Sequence, residues 1–148
     1  MSSIHIGTIS RATEELHAAL QRLVPQLGAH KTPPDRDDLN ALIRSEASTL
    51  LAAREPDETG PIAGILCLTL YRVPTGLRAI IEDVIVDESM RRRGIGEALV
   101  RYALRLAHEA GAEGVALTSN PKREAANRLY QSIGFELRQT NAYLYRLK

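Results

Sequence analysis

The chain carries almost none of the residues that staple, anchor or target a protein. Of its 148 residues only Cys67 is a cysteine, which excludes a disulfide within the chain and any multi-cysteine zinc site. Tryptophan is absent, phenylalanine occurs once, and aromatic residues make up 4% of the chain. No aromatics interleave with the Arg91–Arg93 run, so nothing there marks a nucleic-acid surface. The net charge is +1, from 19 basic and 18 acidic residues, too weak a field to call for nucleic acid or an anionic membrane. No apolar run reaches the roughly 18 residues of a membrane-spanning helix. The opening MSSIHIGTIS has no basic start followed by an apolar stretch, so no secretory signal is expected and the cytoplasm is the expected compartment. What remains is ordinary for a globular protein: 44% hydrophobic and 25% charged residues, at a length suited to one domain spanning 1–148. A core of that size buries roughly two-thirds of the unfolded surface without a metal or disulfide.

Charge is unevenly spread. Residues 1–60 hold 6 basic and 9 acidic residues, whereas 61–148 hold 13 and 9, so an anionic ligand is expected in the second half. Ile4, Ile6 and Ile9 suggest an opening strand. Thr13 followed by Glu14 and Glu15, with Leu16, Ala19, Leu20, Leu23 and Leu27 behind them, predicts a capped helix that Pro25 kinks or closes. A second helix is expected from Asp35 to about Ser48. Segments 49–54, 62–73 and 78–86 read as strands, and the short turns EPDETGP and PTG join them as an antiparallel meander. Ile95, Leu99, Ala103, Leu106 and Ala110 repeat at helical spacing, and Gly111 closes that helix. A strand over 114–119, a helix over 123–132, and a strand or hairpin from Phe135 to Leu147 broken near Thr140-Asn141 complete the order. The pattern is α+β (or α/β): a mixed, mostly antiparallel sheet with helices on its faces.

The most informative stretch is RAIIEDVIVDESMRRRGIGEAL, residues 78–99. An apolar strand ends at Val86, four residues follow, and Arg91-Arg92-Arg93-Gly94-Ile95-Gly96 opens a helix. A helix start offers unpaired N–H groups and a partial positive charge to an anion. Gly94 and Gly96 have no Cβ to hold a diphosphate away, and the arginines bring forked donors. No Lys-Ser/Thr follows, so the Walker pattern is absent, and Leu99 stands where the dinucleotide fingerprint requires a third small residue. On spacing alone, a phosphate cradle competes with a solvated arginine run leading into a tight turn.

These residues resemble the acetyl-CoA-binding motif of the GNAT acetyltransferases, R-x-x-G-x-G after an apolar strand. TSNPKREAANRLYQSIGFE is similar to a second block of that superfamily, and the element order matches over essentially the whole chain. The resemblance implies the GNAT fold and an acetyl-CoA-dependent N-acetyltransferase. Backbone groups of Val84, Ile85 and Val86 would pair with the pantetheine arm in a splay between that strand and strand 114–119. Residues Arg92 to Glu97 would wrap the pyrophosphate through their N–H groups, with Arg91 beside them. Asn120, Arg123 and Asn127 would complete the cofactor site.

Acetyl transfer requires a neutral amine, hence a proton acceptor, and a leaving thiolate, hence a proton donor. The resemblance implies Tyr130 as the acid, its phenol protonated at neutral pH. Core packing is the competing role for that ring. Glu82 and Asp83 interrupt an apolar strand. Alternation places them on opposite faces, and at least one should need a functional or hydrogen-bonded setting. The resemblance favours Glu82 as the base or as the residue that orders a water; Asp83 is read as structural or as a contact to the substrate ammonium.

The remaining conspicuous residues have plainer readings. His5, His17, His30 and His108 fall at no metal-ligand spacing, so no metal is expected. Cys67 alternates with Ile65 and Thr69 and reads as a buried inert thiol, which favours direct transfer in a ternary complex over an acetyl-cysteine. Tyr71, Arg72, Tyr143 and Tyr145 either line the acceptor cleft or pack the sheet. The acceptor is expected to be a primary amine of a small molecule or peptide, with neither nucleic acid nor membrane as partner. An open sheet edge allows a homodimer. The competing class is a non-catalytic acyl-CoA-binding regulatory module.

Overall fold

The computed structural model describes residues 3–148. The sheet is built by an antiparallel run followed by one parallel addition: β1 (His5–Thr8), β2 (Ser48–Arg54), β3 (Ile62–Val73), β4 (Gly76–Val86) and β5 (Val115–Ala116), in that spatial order. Only β5 runs parallel to its neighbour, pairing with Ala79 and Ile80 of β4. The Pro74-Thr75 turn joins β3 to β4 so tightly that Val73 and Gly76 are partners, as the PTG signal implies. Helices α1 (Glu14–Leu27) and α2 (Arg36–Arg44) precede β2; α3 (Ile95–Glu109) follows β4; α4 (Glu124–Ile133) follows β5.

Alternation of side chains sorts the core into two layers. Leu50, Ala52, Ile65 and Ile85 pack with Leu16, Ala19, Leu20 and Leu23 of α1 and Leu39 of α2. Leu51, Ala53, Leu66 and Leu68 are equally buried but belong to the opposite face by strand parity. There the apolar stripe of α3 lies, Ile95, Leu99, Val100, Ala103 and Ala107. Helix starts follow their caps. Thr13 Oγ1 accepts from Leu16 N at 3.1 Å and Asp35 Oδ1 from Asp38 N at 2.8 Å. Gly111 ends α3 in the left-handed conformation, φ +89.

Several expectations are corrected. Helix α2 ends at Arg44, where Ser45 turns extended toward β2. Helix α1 ends at Leu27 with Pro25 in its last turn, as expected. The stripe of α3 passes through Val100 and Ala107, leaving Leu106 half-buried and Ala110 exposed. β5 is two residues long, because β4 pairs with it only at Ala79 and Ile80.

The terminal hairpin does not form. Beyond Phe135 there is no strand and, among the described residues, no backbone–backbone hydrogen bond. Leu137, Tyr143, Leu144, Tyr145 and Leu147 are all at least 76% exposed. The consecutive Tyr143-Leu144-Tyr145 puts large apolar groups on both faces of an extended chain, so one covering layer cannot bury them.

The chain divides into a compact unit ending at Thr118, which holds the five strands and α1 to α3, and a second, Ser119–Lys148, built around α4. Among the described residues no helix is long and apolar enough to cross a membrane, and no group of His, Cys, Asp and Glu could hold a metal ion.

Candidate active site

Strand β4 is regular until Ile81 and then bulges. Its pairing with β3 slips between Ile65 and Cys67, and Asp83 sits at φ +50, a left-handed conformation uncommon outside glycine. The bulge undoes the alternation expected of Glu82 and Asp83: both carboxylates are exposed, and neither is buried in apolar surroundings. Below the bulge, β4 has β5 as its neighbour at Ala79 and Ile80. From Ile81 to Val86 it has β3 on one side and no strand on the other among the described residues. Val84, Ile85 and Val86 lie on this unaccompanied length.

Glu82 is the cross-strand partner of Cys67, and such partners share a face of the sheet. The same face continues outward through Thr69 and Tyr71, and Thr69 Oγ1 lies 3.3 Å from Ser48 Oγ. A small polar patch thus stands beyond the apolar core of α1 and α2. Burial pushes the Cys67 thiol up; the nearby Thr69 and Ser48 hydroxyls pull the other way, and the Asp83 and Glu82 charges push it further up. Cys67 therefore stays a neutral thiol, as the sequence suggests.

After Val86 the chain makes a short 3₁₀ turn, Glu88–Met90, and enters α3. Asp87 organises the turn, accepting from Ser89 N and Ser89 Oγ, each at 3.2 Å, and from Arg22 Nε of α1 at 3.0 Å. Burial works against ionisation of Asp87, but these donors outweigh it and hold its carboxyl below the usual range. Gln26 Oε1 accepts from Glu88 N at 2.9 Å, a second tie to α1.

The three arginines have different fates. Arg91 Nε donates to Val86 O at 3.2 Å, and Arg93 Nη1 donates to Glu55 Oε1 at 3.0 Å. Arg92, at φ +66, makes no hydrogen bond or ion pair among the described residues. Gly94 then caps α3 at φ +82 with no side-chain capping bond. A methyl on Gly94 would meet nothing within 4 Å, so the backbone there borders open space. The first intrahelical bond runs from Ala98 N to Gly94 O, which leaves the N–H groups of Ile95, Gly96 and Glu97 outside the helical ladder. Sterically and electrostatically this is an anion-accepting helix start.

The other sequence-identified residues belong to the second unit. Asn120 Oδ1 accepts from Lys122 N at 2.9 Å. Asn127 Nδ2 donates to the carbonyls of Asn120 and Arg123, at 3.0 and 2.9 Å, so its amide shapes the entry to α4. Tyr130 is buried, and its ring meets Phe135 edge-on at 5.9 Å. Burial raises its phenol above the ordinary value, against a smaller opposite pull from Arg123. Its hydroxyl makes no hydrogen bond among the described residues. Sequence reasoning passed over Glu55, only 5% exposed in the β2–β3 turn, and Ser119, whose buried hydroxyl finds no hydrogen-bond partner among the described residues. No periodicity marks either residue.

A sequence profile of the Acetyltransferase (GNAT) family matches residues 13–135. N-acetyltransferase family 8 member 3 of Rattus norvegicus is 33% identical over 91 residues, which is 60% of this chain and 39% of that protein. The chain thus spans about two-fifths of the length of this curated relative. Among solved structures, an aminoglycoside acetyltransferase from an uncultured soil metagenomic sample, in complex with trehalose, superposes with a TM-score of 0.81 at 22% identity, covering 98% of this chain and 97% of that one. An aminoglycoside N-acetyltransferase in complex with CoA gives 0.76 at 18% identity, covering 100% and 97%. The likeness to these structures is one of fold, and it matches the α+β architecture described above. With more than three-quarters of its length inside the family match, the chain belongs to the Acetyltransferase (GNAT) family.

Proposed function

We propose that the protein is an N-acetyltransferase that takes the acetyl group from acetyl-CoA and gives it to a primary amine of a small molecule or peptide, with residues 1–148 acting as one domain. The observation that carries this reading is the uncapped start of α3, where Gly94 turns left-handed after Arg91-Arg92-Arg93 and the next N–H groups lie outside the helical ladder. Those groups and the unpaired Arg92 suit a pyrophosphate. The unaccompanied backbone of Val84, Ile85 and Val86 suits an extended arm bearing amides, which would add to the sheet as a strand does. Asn120, Arg123 and Asn127 are assigned to the same cofactor.

Acetyl-CoA supplies an acyl group on a good thiolate leaving group. Glu82, exposed on the sheet face beside Cys67, takes a proton from the acceptor ammonium directly or through water, so that nitrogen presents a lone pair. Tyr130 keeps its proton through the neutral range and gives it to the sulfur as the C–S bond breaks, and the second proton that the nitrogen sheds on becoming an amide restores the phenol. The protonated, half-buried Cys67 is a poor nucleophile, which supports direct transfer between the two substrates without an acetylated enzyme.

Calorimetric titration with acetyl-CoA, CoA and ATP tests the cofactor assignment, and an amine panel with detection of released thiol tests the reaction. Binding of both CoA species but not ATP, followed by amine-dependent thiol release, is expected. Binding without release on any amine would identify a non-catalytic acyl-CoA-binding module. Absence of binding would overturn the reading altogether.

A further inference from the structure

The three arginines before α3 look equivalent in sequence, but one of them is already held by a buried carboxylate. Arg93 forms an ion pair with Glu55, and the two partners differ sharply in setting: the Arg93 side chain is 51% exposed, the Glu55 side chain 5%. Among the described residues Glu55 is the one buried charged residue. Removing a carboxylate from water is costly unless it is bonded, so its place opposite Arg93 is strongly determined.

The platform under Glu55 is rigid. A Cβ on Gly60 would collide with the Glu55 carbonyl, so only glycine lets the turn close there. Gly60 O accepts from Arg54 Nη1 at 2.8 Å, and Gly60 N donates to Asp57 O at 3.0 Å. Asp57 Oδ1 in turn accepts from Thr59 N and Thr59 Oγ1. Arg93, on the other side, sits between the two left-handed residues of the loop, Arg92 at φ +66 and Gly94 at φ +82. A non-glycine residue in that conformation is strained, so the loop needs an outside constraint to hold it.

We propose that Glu55 is the positioning residue of the cofactor loop: its buried carboxylate holds the Arg93 guanidinium away from the phosphates and fixes the Arg92–Gly94 backbone in its anion-accepting shape. The cofactor itself rests on the reading above; the anchoring does not. Phosphate charge is then met by Arg92 and backbone N–H groups, with Arg93 contributing its N–H but not its side chain.

The test compares Glu55→Ala, Glu55→Gln, Arg93→Ala and the Glu55→Ala/Arg93→Ala double variant with the wild type, using hydrogen–deuterium exchange of the free protein and acetyl-CoA titration. Anchoring predicts faster exchange at residues 88–97 in both alanine variants, with Glu55→Gln intermediate because it keeps an acceptor for Arg93. Acetyl-CoA affinity should fall about tenfold in each alanine variant, the effect of losing one charge-assisted bond. The double variant should be no worse than either single one, and in Glu55→Ala and Glu55→Gln kcat at saturating acetyl-CoA should be nearly unchanged. Unchanged exchange at 88–97 in Glu55→Ala would overturn the anchoring, as would weaker binding in Arg93→Ala alone, since freeing a phosphate-binding arginine would then leave or improve affinity in Glu55→Ala. If the wild type ignores acetyl-CoA while the exchange pattern holds, the cofactor reading fails and the anchor stands.

Discussion

Gly64 of β3 lies beneath Ile95, the first residue of α3. A methyl on Gly64 would stand 3.2 Å from Ile95 Cγ2, 3.3 Å from Leu99 Cδ1 and 3.0 Å from the carbonyl of Ile85. The absent side chain is what lets the helix start settle onto the sheet next to the end of β4. Gly64→Val should therefore lift α3, costing about 1–3 kcal/mol through overpacking, and should weaken acetyl-CoA binding as well. Gly64→Ala should be milder, because its close contacts are partly offset by the lower entropy of the unfolded chain. Thermal unfolding and calorimetric titration of both variants check this; a Gly64→Val protein with unaltered affinity would mean that the helix start does not depend on that approach.

Gly64 also shows what a sequence can and cannot disclose. The meander β2–β4 and the helix after Gly94 are legible, because apolar runs, turn residues and a glycine stop are local signals. Strand β3 matches its expected bounds of 62–73. The bulge at Asp83 is not legible: it depends on how two strands register, and it turns an expected opposition of Glu82 and Asp83 into two exposed carboxylates. The hairpin expected after Phe135 does not form, because the consecutive Tyr143-Leu144-Tyr145 lacks alternation and would leave large apolar groups on both faces. At the site, the arginine–glycine motif locates the loop. The division of labour among Arg91, Arg92 and Arg93 follows from Val86 and from Glu55, the latter 38 residues away from Arg93 in sequence.

Gly96→Asp separates folding from ligand binding. Gly96 is in the first turn of α3, where a carboxylate is favoured by the helix dipole, by about 0.3–1 kcal/mol. The variant should keep or slightly gain thermal stability. A pyrophosphate would meet that same carboxylate as a like charge, so acetyl-CoA affinity should fall by about 10²-fold or more. Retained affinity would show that the start of α3 is not where the cofactor phosphates bind.

Asp87 predicts an acid-sensitive contribution to stability. Its folded pKa is held below the ordinary value because the Ser89 donors and Arg22 outweigh burial. A depressed carboxyl contributes stability that is fully present above the unfolded pKa, about 3.9, and is lost as pH falls through the folded pKa. Asp87→Asn should therefore be less stable than the wild type by about 1–2 kcal/mol at neutral pH. The gap should narrow progressively as pH falls below about 4. Denaturant unfolding at pH 7 and pH 3 measures both; a gap that persists in acid would assign Asp87 a role in packing and not in charge.

Tyr130 and Glu82 are distinguished by how their variants divide kcat from cofactor affinity. Tyr130→Phe retains the ring that meets Phe135 and removes only the hydroxyl. Folding and acetyl-CoA affinity should stay close to wild type while kcat drops by about 10²-fold, the scale of a lost general acid. Because burial raises the phenol above its ordinary value, loss of its proton cannot limit the wild-type rate below about pH 10. Any alkaline decline in kcat beginning near neutrality must come from another group, and it should survive in Tyr130→Phe. Glu82→Gln should also lower kcat without weakening acetyl-CoA binding, and raising the pH should partly restore its rate, because more of the amine is then already neutral. Recovery with pH in Glu82→Gln but not in Tyr130→Phe would assign proton removal to the carboxylate and proton donation to the phenol. Equal pH dependence in the two variants would leave that assignment without support.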